Sequence, residues 1–410
     1  MSEAQSPDST IVIVGASLAG MRAAEELRHL GHTGRVVIVG DEAHPPYDRP
    51  PLSKQFMSGA WDVERIHHHT PDKLDSFGLE LLLGRRAESL DTDTRTLGCS
   101  DGSELHYDGL IVATGARPRR LPDTAGMAHV HVLRTLDDCR GIRSDLDAAG
   151  AGARLVVIGA GFIGSEVAAT CHGLGAQVSV VEALPTPLSR VLGDQMGEAC
   201  AHLHRAHQVD IRAGVGVERL SDSDGDAPLV VHLVDGSRLE ADLVVVGIGV
   251  VPATEWLEGS GVTLDNGVVC NDSLFAAERV VAAGDVSRWT PPTIGEQIRV
   301  EHWTNAAEGG TVAARNLVAG SQAATPYDPV PFFWSDQYET KIQMIGLPHP
   351  DDEVMVVEGT VEEGRLVALY RRADRLSAVL AFSRPRQLMA YRPLLAAGAS
   401  FDEALALARG

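Results

Sequence analysis

Two glycine clusters with matching spacing carry the chemistry most visible in this chain. One is Gly15, Ser17, Leu18, Ala19 and Gly20 in IVIVGASLAG; the other is Gly159, Gly161, Phe162, Ile163 and Gly164 in LVVIGAGFIG. A pyrophosphate must come close to a helix N-terminus, where free N–H groups and the helix dipole favour an anion, and a β-carbon in the turn holds it off. Each cluster therefore reads as a phosphate-binding turn. A single glycine pattern also marks ordinary strand-to-helix turns, so the reading rests on the context around each copy.

That context is the same twice. Each turn follows an apolar run short enough for a buried parallel strand and continues with helical spacing. The helices are read over Leu18 to Leu30 and Phe162 to Leu174, ending near Gly31 and Gly175, with second strands at Val36 to Val39 and Val178 to Val181. Both are βαβ units. The second closes with Glu182, about 20 residues beyond Gly159, where a carboxylate accepts from the adenosine ribose hydroxyls and repels a 2′-phosphate, which favours NADH over NADPH. Arg190 lies nearby and is the competing 2′-phosphate ligand, but the acid at the strand end argues more directly. In the first unit Ser17 replaces the middle glycine and Gly40 holds the strand-end position, so the ribose acid falls to Asp41 or Glu42. Two nucleotide sites in one chain suggest electrons passing between two cofactors.

Further landmarks follow. The stretch PPYDRPPLSK, Pro45 to Lys54, is proline-rich, and fixed φ angles would hold Arg49 and Lys54 in place. Two cations framed this way suit a pyrophosphate and an isoalloxazine ring; a stiff surface turn is the alternative. YDGLIVATGAR, with Thr114 and Gly115, and ADLVVVGIGVVP, with Gly249, are strands ending in glycine turns that read as re-entry to a first domain around an inserted one. VVAAGDV ends at Gly284 and Asp285, where a carboxylate can accept from a ribitol hydroxyl or simply serve a turn.

Length and composition set the outer limits. The chain has 410 residues, 44% of them hydrophobic, enough for two or three domains with their own cores. No apolar stretch approaches the roughly 20 residues that span a bilayer, and Ser2 to Thr10 is polar, so the expected location is the cytoplasm. A net charge of -21 argues against nucleic acid and against an anionic membrane surface. An acidic protein partner would need a local basic patch, drawn from Arg49, Lys54 and Arg65 or from Arg384, Arg386 and Arg392. The five cysteines, Cys99, Cys139, Cys171, Cys200 and Cys270, form no close pair, which counts against disulfides, iron–sulfur ligation and a redox dithiol; Cys171 reads as core packing. The histidine groups His67 to His69, His129 with His131, and His202, His204 and His207 read as solvated side chains, and no metal site is expected.

Taken in order, GASLAG, YDRPPLSK, ATGARPR, GAGFIGSEVA, GIGVVP, AAGDV, VEHWTNA and PFFWSDQY resemble the FAD-dependent NADH:ferredoxin reductases of bacterial oxygenase systems, within the pyridine-nucleotide-disulfide-reductase-like flavoproteins. The resemblance covers nearly the whole chain. It implies an α/β fold with two Rossmann-like dinucleotide-binding domains, the NADH domain inserted in the FAD domain, plus a C-terminal α+β domain. The FAD domain is placed at 1–117 and 246–324, the NADH domain at 118–245 and the C-terminal domain at 325–410, entered through the linker-like TPYDPVP.

Carried onto this sequence, the resemblance puts Arg49, Lys54, Ala87, Arg134 and Asp285 against FAD, with Thr114 to Ala116 lining its approach. It puts Gly161, Ile163, Glu182, Arg190 and Gly249 against NADH. Lys54 and Glu166 would face the flavin's reactive nitrogen, unless they are only an interdomain ion pair, and Trp303 would shield the ring. Trp334 reads as packing of the C-terminal domain. The implied enzyme takes a hydride from NADH onto bound FAD and passes electrons singly to an iron–sulfur ferredoxin that serves a Rieske-type or haem oxygenase, as a monomer or homodimer. Rival readings are a flavoprotein NADH oxidoreductase with another acceptor, thiol-active enzymes included, and a non-catalytic redox-signalling flavin-binding protein.

Overall fold

The computed structural model describes residues 5–223 and 227–409. Contacts divide the chain into two compact units: Met1–Asp48, Glu64–Arg117 and Val251–Pro331 form one, and Arg49–Val63, Pro118–Val250 and Phe332–Gly410 form the other.

In the first unit the strand Ile11–Val14 is the middle of a six-stranded sheet. It pairs in parallel with Val36–Gly40 on one side and Gly109–Val112 on the other. All four of its residues are buried, the unbroken apolar run expected of a parallel strand covered on both faces. Glu80–Leu83 closes one edge, while Val280–Ala282 and Phe275–Ala277 extend the other. The helices Leu18–His29 and Trp303–Ala319 pack together. The segment read as a linker is held down within this unit: Tyr327 stacks on Trp289 at 5.2 Å between ring centroids, and Trp289 Nε1 donates to the Tyr327 carbonyl at 2.9 Å.

The second unit repeats the pattern. Arg154–Ile158 pairs in parallel with Gln177–Glu182 and Leu243–Val246, in a five-stranded sheet completed by Asp210–Ala213 and Val130–Val132. The Leu243–Val246 strand, read from its sequence as re-entry to the first domain, is thus a member of the second sheet, and the return to the first unit begins at Val251. Its glycine turn resembles that of Gly109–Val112 because both strands flank a phosphate-loop strand, each in its own sheet. The helix Phe162–Gly173 follows the second glycine turn.

This unit also contains a five-stranded antiparallel sheet near the C-terminus, ordered Phe332–Gln337, Thr340–Gly346, Arg375–Phe382, Arg365–Arg372, Glu353–Thr360, with three short helices after it. It shares a core with the helix Ser189–Ala206: Leu192, Met196, Cys200 and Leu203 pack with Ile342, Tyr370 and Leu380. Tyr370 confirms the seam by donating its hydroxyl to the Leu192 carbonyl at 2.8 Å.

That packing corrects one expectation. His204 is fully buried rather than solvated, its Nδ1 2.9 Å from the Tyr338 hydroxyl, while the His207 ring stacks on Tyr338 at 3.7 Å. A helix with polar residues on its outer side in sequence acquires a second covered flank when a hairpin folds over it. Among the described residues, no helix is long and apolar enough to cross a membrane.

Candidate functional site

The two glycine turns have the geometry their residue types require. Gly15 has φ +125°, and a β-carbon there would lie 2.1 Å from the Ala113 carbonyl oxygen. Gly159 has φ +99°, with the same atom 2.4 Å from the Gly247 oxygen. No larger residue fits either place. The helices that follow begin at Leu18 and Phe162 without any side-chain cap from Ser17 or Gly161, so their first N–H groups remain available to an anion. Both turns therefore fit a dinucleotide pyrophosphate.

At the second turn the carboxylate of Glu182 is already fixed. Its Oε2 accepts from Ala160 N at 2.7 Å and its Oε1 from Leu184 N at 2.8 Å. Each oxygen keeps a lone pair for a ribose hydroxyl. Ile163, one residue into the helix, leaves its apolar side chain 45% exposed beside the turn. Arg190 is exposed on the Ser189–Ala206 helix, and Gly249 is exposed with its carbonyl accepting from Arg119 N at 2.9 Å. At the first turn Asp41 is exposed just past the strand end, whereas the Glu42 carboxylate accepts a hydrogen bond from the Tyr47 hydroxyl.

Other expected FAD residues of the first unit occupy turns and strand ends. Ala87 is buried at the start of Ala87–Asp91, Thr114 Oγ1 donates to the Ala253 carbonyl at 2.8 Å, and Gly284 and Asp285 form a single 3₁₀ turn. Trp303 opens its helix, and its Nε1 donates to Asp48 Oδ1 at 2.7 Å. Nothing around Asp48 in the sequence signals this contact, because its indole partner lies 255 positions away.

The second unit brings Lys54 and Glu166 together. Lys54 Nζ lies 2.7 Å from Glu166 Oε2, with the side chains only 10% and 4% exposed. Ser53 Oγ donates to the same oxygen at 2.5 Å. Ser335 Oγ and Asp336 N donate to Oε1 at 2.9 and 3.3 Å. The Pro50–Ser53 turn that carries Lys54 is anchored by Thr170 Oγ1, which donates to the Ser53 carbonyl at 2.7 Å, and by Cys139 Sγ on the Leu52 carbonyl. Arg49 donates through Nη1 to the Arg134 carbonyl. Lys54 is thus buried and paired, not part of a surface basic patch, and Arg384 of the other candidate patch pairs with Glu358 at 3.1 Å.

Residues 9–310 match the family model described as pyridine nucleotide-disulphide oxidoreductase, and residues 332–409 match one described as reductase C-terminal. The chain belongs to the pyridine nucleotide-disulphide oxidoreductase family. It is 37% identical to rhodocoxin reductase of Rhodococcus erythropolis over 98% of this chain and 95% of that protein. It is 34% identical to the ferredoxin–NAD(+) reductase component of the anthranilate 1,2-dioxygenase system of Burkholderia cepacia, over 95% of each. The crystal structure of the covalent putidaredoxin reductase–putidaredoxin complex is similar at a TM-score of 0.89 and 34% identity, covering 95% of this chain and 93% of that one.

The family is named for disulphide chemistry, which demands an accessible thiolate. All five cysteines here are buried and free. Burial pushes the thiols of Cys139, Cys171, Cys200 and Cys270 up to about 12, and raises that of Cys99 as well. Cys171 Sγ packs 3.7 Å from Met57 Sδ, a contact between two core atoms.

Proposed function

We propose that this protein is an NADH-dependent ferredoxin reductase of the cytoplasm, carrying electrons through bound FAD to a two-iron two-sulfur ferredoxin that supplies an oxygenase. Full-length similarity to ferredoxin reductases of oxygenase systems, joined to thiols that are all buried, is the observation that carries this reading. A thiol-reducing member of the same family would need a cysteine that this chain does not present.

In this reading the first unit holds FAD through the Gly15–Gly20 turn, Ala87, Thr114, Gly115 and Asp285, and Trp303, held by Asp48, shields the ring. The resemblance also assigns Arg49, Lys54 and Arg134 to FAD. Glu182 receives the NADH ribose, the Gly159–Gly164 turn receives its pyrophosphate, and Ile163 gives an apolar surface beside it. Bound FAD supplies hydride acceptance and single-electron release. The chain's own contribution is orientation and charge. Lys54, fixed by Glu166, would hold a positive charge beside bound FAD and favour its reduced form. Glu166 holds that charge still, because each of its oxygens already receives two donors.

The reading is tested by NADH oxidation with a two-iron two-sulfur ferredoxin, before and after alkylation of the native protein with iodoacetamide. Ferredoxin-dependent turnover that survives alkylation is the expected result. Turnover with a disulfide but not with ferredoxin would contradict it.

A further inference from the structure

We infer that Ser335 is a positioning residue for the Lys54–Glu166 pair, so that the C-terminal sheet builds part of the hydride-transfer site. This rests on the reading of that pair given above.

The strand Phe332–Gln337 alternates, with Phe333, Ser335 and Gln337 turned inward and buried. Three contacts fix its register on the Phe162–Gly173 helix and the turn beyond it. Phe333 packs on Phe162 at 4.4 Å between ring centroids, Ser335 Oγ reaches Glu166 Oε1 at 2.9 Å, and Tyr338 meets His172 edge-on at 6.0 Å. Glu166 is therefore gripped between two aromatic contacts, and the strand cannot slide without losing all three.

The Ser335 proton has one direction to go. Gln337 Nε2 donates to Ser335 Oγ at 3.3 Å, and the hydroxyl in turn donates its hydrogen bond to Glu166. An ionised carboxylate accepts only, with about four lone-pair positions. Ser335 Oγ and Asp336 N occupy Oε1, while Ser53 Oγ and Lys54 Nζ occupy Oε2. With both oxygens occupied by donors, the Glu166 carboxyl is held in the orientation that aims Lys54. The donor chain is not built for stability alone, because Gln337 Oε1 is buried with no hydrogen-bond partner. Orientation is what the arrangement gains: with Oε1 held, the carboxylate cannot rotate and Oε2 stays on Lys54.

The test uses the full-length, FAD-loaded protein. Ser335→Thr and Ser335→Val are equal in size and differ only in the hydroxyl, so their comparison cancels the extra bulk. Two quantities are read: single-turnover flavin reduction by NADH as a function of pH, and the rate at which an amine-reactive reagent labels Lys54, followed by mass spectrometry. Relative to Ser335→Thr, Ser335→Val should slow reduction by about three- to tenfold, the net effect of one ordinary intramolecular hydrogen bond, and speed Lys54 labelling by a similar factor. Equal behaviour of the two variants in both readouts overturns the inference. If Ser335→Val does not fold, Ser335→Cys takes its place, keeping the size with a weak donor. Glu166→Gln separates the two levels: unchanged flavin reduction there sinks the reading of the pair itself, whereas slowed reduction with matching Thr and Val variants sinks only the role of Ser335.

Discussion

Lys54 Nζ and Glu166 Oε2 meet at 2.7 Å, side chains 10% and 4% exposed, although 112 positions separate them in the chain. Taking one partner from a buried pair leaves a charge without compensation, which costs about 3–5 kcal/mol, while replacing both is far milder. Lys54→Met and Glu166→Gln should each lower unfolding stability by that order, and the double variant should recover most of the loss. Urea denaturation of the four proteins measures the coupling; additive losses would show that the pair is not held as described.

Glu182 offers both carboxylate oxygens to backbone N–H groups and, in this account, to the ribose of NADH. Glu182→Ala should weaken NADH binding and bring the NADH-to-NADPH preference down by about tenfold, the equivalent of one or two hydrogen bonds and one lost repulsion. The ratio of kcat/KM for the two coenzymes checks this. An unchanged ratio would remove Glu182 from the site.

Gly159 and Gly161 sit two residues apart and should fail differently. A β-carbon on Gly159 meets the Gly247 oxygen at 2.4 Å with φ +99°, so Gly159→Ala should destabilise the fold by about 1–3 kcal/mol. At Gly161 the nearest atom to such a carbon is 4.0 Å away. Gly161→Ala should therefore leave unfolding stability within about 0.5 kcal/mol of wild type while weakening NADH, because the new methyl group faces the space a pyrophosphate needs. Thermal unfolding and coenzyme titration of both variants separate the two effects.

How much of this was visible beforehand depends on the range of each interaction. The βαβ units were legible because strand and helix periodicities and the glycines of the turns are local. Lys54 stands out in its proline-rich frame, but Glu166 and its place beside Lys54 come only through the resemblance. Ser335 was not found at all: nothing in FFWSDQ signals a partner 169 positions earlier, and a serine on an alternating strand looks like any other inward-facing small residue. Asp48 was missed similarly, since its indole partner lies 255 positions away. His204 was misread because amphipathic spacing identifies one buried face of a helix and says nothing about a hairpin arriving on another.

Burial pushes His204 down to about 4 from the ordinary histidine value of 6.5. Between those values the unfolded chain binds a proton that the folded chain does not, so stability should be complete above pH 6.5 and decline as pH falls toward 4. From neutral pH to about pH 5 the loss from this residue should be about 2 kcal/mol. His204→Asn, which does not titrate, should show a correspondingly flatter profile. Urea midpoints at the two pH values provide the comparison, and parallel profiles would indicate that His204 is protonated in the folded state.

The central claim is that electrons enter from NADH and leave to an iron–sulfur protein. Anaerobic stopped-flow of the FAD-loaded protein follows both halves at about 450 nm, a region where oxidised flavin absorbs. Mixing with NADH should bleach the band quickly, and adding an oxidised two-iron two-sulfur ferredoxin should restore it at a rate that rises with ferredoxin concentration. Bleaching that ferredoxin does not reverse would contradict the account and leave an NADH-oxidising flavoprotein with a different acceptor.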